Sequence, residues 1–297
     1  SFPLTAGTTS CAARASAKAF LGLTRASTPT RPNWSIPMSR KYFDPTSQGP
    51  VLGPGAVSLS HTTLFDDWLL GGYVKDEALS SESDPAGGKF SSVADASEWK
   101  VTFPAAAGTD ELIAIQTDAP GGILGLTTDA DDDDFIIAQC NGSYFKPTDS
   151  NPVYMETRFS VSDVDQADIF MGLAVIDGSM WTNVPDLVGG GLADGAGDLK
   201  VVTGKNMSGT PYAGGSGSTV TDTGTDLSDG TKTTNFVVLR MEVGGETVKF
   251  FVDGTLAATH TANIPDDVFL TPTMSIANGT TAATSLFVDY IFVSQGR

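Results

Sequence analysis

The stretch Gly121–Asp177, GGILGLTTDADDDDFIIAQCNGSYFKPTDSNPVYMETRFSVSDVDQADIFMGLAVID, is a run of short apolar segments broken by Asp, Gly, Asn and Pro. Within it Met155, Thr157, Phe159 and Val161 alternate with polar or small residues, the period of a half-buried strand. Ile169–Ile176 is almost wholly apolar, as a strand covered on both faces must be. A second series of the same kind lies near the C-terminus. A chain with 33 glycines and 16 prolines suits many strands and turns better than helical layers. The pattern therefore predicts an all-β, antiparallel β-sandwich.

Strands are expected at Glu98–Phe103, Glu111–Gln116, Ile123–Thr127, Phe135–Gln139, Val153–Val161 and Ile169–Ile176. Later ones are expected at Asn235–Val243, Thr247–Val252, Thr255–Thr259, Thr271–Ala277 and Ser285–Val293, with Asp253-Gly254 as a hairpin turn. In the last strand both faces carry apolar residues. The segment Val188–Gly230, rich in Gly, Ser, Thr and Asp, reads as loop framing one strand, Leu199–Thr203.

The charge is unevenly divided. Of 17 basic and 35 acidic residues, six and one fall within residues 1–60, leaving 11 and 34 for the rest. Arg14, Lys18, Arg25, Arg31, Arg40 and Lys41 face only Asp44 there, and seven prolines occupy the same segment. Residues 1–60 are thus expected to form an extended basic arm, with a short helix near Cys11–Leu23, and residues 61–297 an acidic sandwich domain. So acidic a body should repel nucleic acid and anionic membranes. No run of about 18 apolar residues is present, so no membrane span is expected. SCAARASAKAFLGL lacks the continuous apolar run of a signal peptide. Two cysteines, Cys11 and Cys140, make no disulfide framework.

The C-terminal run FVVLRMEVGGETVKFFVDGTLAATHTANIPDDVFLTPTMSIANGTTAATSLFVDYIFVSQ resembles the closing half of concanavalin A-like, laminin-G-like jelly rolls. SDVDQADIFMGLAVID and NIPDDVFLTPTMSIANG resemble virion structural proteins of tailed bacteriophages, of the kind that decorate or cement a capsid. The likeness covers residues 98–297. It implies a non-enzymatic capsid decoration protein on the outer surface of a virion, made in the host cytoplasm. Its partners would be the major capsid protein and further copies of itself, as a trimer. The arm would supply the contacts, through its six basic residues and through Phe20 and Trp34. The alternative is a lectin-like carbohydrate-binding module, and after it a glycosidase, since fold does not dictate function.

The residues themselves offer little catalytic apparatus. Glycosidases need two carboxyls flanking the bond, about 5–5.5 Å apart in retaining enzymes. Asp165 and Asp168 are three positions apart near a turn, with no glutamate following. Asp129, Asp131 and Asp133 have the alternate spacing of a calcium loop, but Asp134 and Cys140 occupy its glycine and glutamate positions. A solvated hairpin tip is expected there, the alternative being a calcium site shared with Asp177 or another loop carboxylate. His61 and His260 form no triad or metal set, and no cofactor is expected. Trp181 and Tyr212 are the candidate glycan contacts, with core filling the other role open to Trp181.

Overall fold

A computed structural model describes residues 61–66, 89–91, 98–103, 112–116, 122–131, 134–142, 144–193, 196–279 and 281–296. These all fall in the unit Val51–Arg297. The described residues form two antiparallel sheets and no helix. The first sheet runs β14 (Thr255–His260), β13 (Val248–Val252), β12 (Val237–Val243), β7 (Val153–Val161), β16 (Ser285–Gly296), β5 (Leu124–Thr127), β4 (Leu112–Ile115), with β1 (His61–Asp66) also on β16. The second runs β11 (Ser218–Asp226), β10 (Ala196–Gly204), β9 (Leu187–Ala193), β8 (Ala167–Ala174), β15 (Thr271–Asn278), β6 (Phe135–Cys140), β3 (Glu98–Thr102), β2 (Lys89–Ser91). This is the expected jelly-roll sandwich.

Alternation decides which side chains meet between the sheets. Val153, Met155, Phe159 and Val161 of β7 and Val237, Leu239, Met241 and Val243 of β12 point inward from the first sheet. Ile136 and Ala138 of β6, Ile169, Met171 and Leu173 of β8, and Met274 and Ile276 of β15 meet them from the second. Each fully buried side chain of this size contributes roughly 1.5–3 kcal/mol. At the β13–β14 hairpin, Asp253 and Gly254 have φ of 47° and 80°, the left-handed pair that matches strand twist.

The second sheet is covered on its outer face as well. Ile137, Phe170, Ala174, Leu187 and Val202 on that face pack with Met180, Val184 and Met207 from the connections Val175–Asp186 and Lys205–Gly217. Double coverage is why Ile169–Ala174 carries no polar alternation.

Within Val188–Gly230 the expected strand Leu199–Thr203 lies in β10, and two further strands, β9 and β11, stand where loop was expected. The glycines of β9 are required by close approach. A Cβ on Gly191 would lie 1.9 Å from the Ile169 carbonyl oxygen, and one on Gly189, or on Gly172 of the neighbouring β8, would meet backbone and the Phe170 ring within 2.8 Å. β11 is an edge strand in which threonines alternate with Val220, Asp222, Gly224 and Asp226, so it carries a single large apolar residue and lacks the signal of an interior strand.

Candidate functional site

Arg14, Lys18, Phe20, Arg25, Arg31, Trp34, Arg40 and Lys41 lie outside the described residues, as do the helix expected at Cys11–Leu23 and Asp133. Cys140 is buried at the end of β6.

Trp181 and Tyr212 are brought together, both packing on the cluster that covers the second sheet. Their polar atoms point into the protein. Trp181 Nε1 donates to Ser275 Oγ at 2.6 Å, and the Tyr212 hydroxyl donates to the Ile169 carbonyl at 2.8 Å. Burial pushes the Tyr212 hydroxyl well above its ordinary pKa, and the Asp168 charge adds to this. The connection carrying Trp181 is tied to the sheet at two further points. Gln139 donates to the Val175 carbonyl at 2.9 Å and accepts from the Asp177 amide at 3.0 Å. Trp181 and Tyr212 thus hold loops onto the sheet, although part of each reaches solvent.

Among the described residues of the acidic run, three carboxylates come together. Carboxylate oxygens of Asp129, Asp131 and Asp134 lie within 4.8 Å of one another, and these hard oxygen donors are the described set that could hold a cation. Asn278 Nδ2 donates to the carbonyls of Asp129 and Asp131, fixing the turn. Asp177 cannot join them, since it is bonded near the far end of β6 from Asp134, roughly 16 Å along the strand. Asp165 stands in a turn and Asp168 in β8, so the two are not paired on one strand. His61 lies in β1, whereas His260 is buried where β14 approaches the second sheet, bonded to Thr203 and Thr221.

The sequence reading missed an outward aromatic surface. An isolated bridge pairs Phe145 with Leu270, the residue just before β15. Both bridge residues are buried, so alternation turns Tyr144, Lys146 and Phe269 outward together. Tyr144 is 50% exposed and Phe269 56%, which makes them the two most exposed aromatic rings among the described residues. The Tyr144 hydroxyl donates to the Asn141 carbonyl at 2.7 Å. Its ring lies against Gly142, φ 134°, where a Cβ would be 2.3 Å from the ring. The Lys146 ammonium stands 5.8 Å from the Phe269 ring centre. Beside it Lys205 is paired with Asp266, and with Asp267 at 3.3 Å. The hydrogen bond from Lys205 holds the Asp266 carboxyl below its ordinary pKa. Exposed Ile176 follows β8 two positions after Ala174, the partner of Thr271.

No family model matches the chain, and no curated protein matches it. Among solved structures the chain is similar to the endo-1,3-beta-glucanase from Streptomyces sioyaensis, at 18% identity over 81% of this chain and 98% of that one, TM-score 0.48. It is also similar to alginate lyase AlyC3 in complex with dimannuronate, at 11% identity over 59% and 75%, TM-score 0.42. A third is the binding domain of botulinum neurotoxin DC in complex with SialylT, at 10% identity over 72% and 48%, TM-score 0.43. None of these three is a virion protein. Two are enzymes by name, and the expectation that this chain is not an enzyme is withdrawn on that finding.

Proposed function

We propose that the protein is a glycan-binding jelly roll that holds a saccharide on the surface formed by Tyr144 and Phe269. The exposed aromatic pair carries this proposal. Large apolar side chains left in water on one small surface mark binding sites. A pyranose presents an apolar C–H face and a hydroxyl rim. The rings of Tyr144 and Phe269 match the face, while Asn141, Lys146 and Asp267 offer partners for the rim. Covering about 100 Å² of aromatic surface is worth roughly 2.5 kcal/mol, and association costs at least about 4 kcal/mol, so hydrogen bonds from the sugar hydroxyls must supply the rest and affinity for a single sugar should be weak, about millimolar or weaker.

The test is a glycan array probed with the full chain, followed by titration of the best ligand against Phe269→Ala and Tyr144→Ala. Saccharide-selective binding weakened by either change is the expected result. An array with no selective signal, or affinity indifferent to both changes, would remove the proposal. The same ligands incubated with the chain and analysed for shortened products decide whether binding is accompanied by cleavage.

A further inference from the structure

The glycan proposal leaves open whether the sugar is neutral or anionic, and the charges around the aromatic pair bear on that choice. Four ionic side chains surround it, two of each sign. Lys205 is held by Asp266 and Asp267, and the Lys146 charge also acts on Asp266. Lys146 itself lies over Phe269. Lys205 is therefore occupied by carboxylates, and Lys146 lies over a ring beside the same carboxylates, so the positive and negative charges at this surface offset one another and leave no net attraction for an anion.

Arginine is the side chain suited to bidentate capture of a sugar carboxylate. The two described arginines, Arg158 and Arg240, are both on the outer face of the first sheet. Arg158 is bonded to Asp289 and lies 4.2 Å from the Phe236 ring centre. Arg240 is bonded to Glu242 and lies 3.9 Å from the Phe251 ring centre. The field of the body opposes anions too, since 34 acidic residues face 11 basic ones beyond residue 60. What Asp267 and Asn141 do offer is acceptor oxygen, which takes hydrogen bonds from sugar hydroxyls and rejects carboxylates.

We infer that the Tyr144–Phe269 surface selects neutral hexose polymers and excludes polyuronates and sialylated glycans. This rests on the glycan proposal and narrows it to one chemical class. Stacking and hydrogen bonds to uncharged hydroxyls supply the attachment, so salt should matter little.

Titration of the full chain with a soluble neutral β-glucan, a galactomannan and alginate, each at low and high salt, tests it. At least one neutral polymer should bind about tenfold more tightly than alginate. Its affinity should change less than about twofold between 20 and 500 mM salt, because no net ion pairing is screened. Phe269→Ala should weaken it by about tenfold. Alginate binding that is tighter, weakened by salt and lost in Lys146→Met would overturn the neutral assignment while sparing the aromatic site. Binding of neither class, with self-association abolished by Phe269→Ala, would assign the surface to contacts between copies and overturn both.

Discussion

His260 and Thr203 join the two sheets at their edges, the imidazole Nδ1 standing 3.1 Å from the threonine hydroxyl. Thr203 donates its own proton to the Ala262 carbonyl at 3.0 Å, so Nδ1 must be the donor to Thr203. The other ring nitrogen, 2.9 Å from the Thr221 hydroxyl, then accepts. The ring also meets Phe250 edge-on at 5.0 Å. Such an arrangement is built for neutral imidazole.

Burial lowers the His260 pKa below the ordinary histidine value of 6.5. Above about pH 6.5 the ring is neutral in folded and unfolded chains alike, and the contact contributes fully. As pH falls through that value the unfolded chain takes up a proton that the folded chain refuses, so stability declines until the folded pKa is reached. Urea unfolding at pH 8, 7, 6 and 5.5 should show this loss. His260→Leu should be less stable at pH 8 but flatter across the series, and an unchanged slope would refute the role given to His260.

Phe250 and Phe251 are neighbours in β13 with different surroundings. Phe250 is fully buried between the sheets, whereas Phe251 lies half-buried beneath the Arg240 guanidinium. Phe250→Ala should cost about 3–5 kcal/mol, and Phe251→Ala about 0.5–2 kcal/mol through lost stacking and partial burial. Equal losses in denaturant midpoints would contradict the inward assignment of β13.

Gly191 is a strand residue because its neighbour's backbone leaves no room for a side chain. Gly191→Ala should therefore destabilise by about 1–3 kcal/mol, the range for overpacking, while Gly214→Ala, with open space but φ 64°, should cost about 1 kcal/mol. Thermal melts of both variants decide it, and a larger loss at Gly214 would count against strand β9.

These glycines also explain what the sequence concealed. Strands such as β7 and β16 were legible because apolar side chains alternate on a face that must be buried. β9 was not, since its middle is Gly189, Gly190 and Gly191, whose space is filled by Phe170, Leu239 and neighbouring backbone, leaving only Leu187, Val188 and Leu192 to carry an apolar signal. β11 held a readable signal, with Thr219, Thr221, Thr223 and Thr225 at alternate positions, but its composition also suits a loop. The Tyr144–Phe269 surface depends on a bridge between segments distant in sequence. Only the flanking alternation, Phe145 between Tyr144 and Lys146 and Leu270 after Phe269, hinted at which side each ring would take.

The aromatic residues of the second sheet's surroundings divide into two groups that a pair of measurements separates. Trp181 and Tyr212 have their polar atoms bonded within the protein and hold the connections Val175–Asp186 and Lys205–Gly217 to the sheet. Trp181→Phe and Tyr212→Phe each remove one such hydrogen bond, leaving Ser275 Oγ without the indole donor and the Ile169 carbonyl without the phenol. Each should lower stability by about 1 kcal/mol, or slightly more where the abandoned partner stays dry. Their effect on saccharide affinity should be under about twofold, because the hydroxyl and indole nitrogen do not face solvent. Tyr144→Ala and Phe269→Ala should behave in the opposite way, with stability changed by about 0.5 kcal/mol or less and affinity reduced, since exposed rings contribute little to folding. Unfolding and glycan titration on the same four variants read out both quantities. If Trp181→Phe or Tyr212→Phe lowered affinity as strongly as Phe269→Ala, the saccharide would have to lie over the second sheet, and the loops now covering that sheet would have to move to admit it.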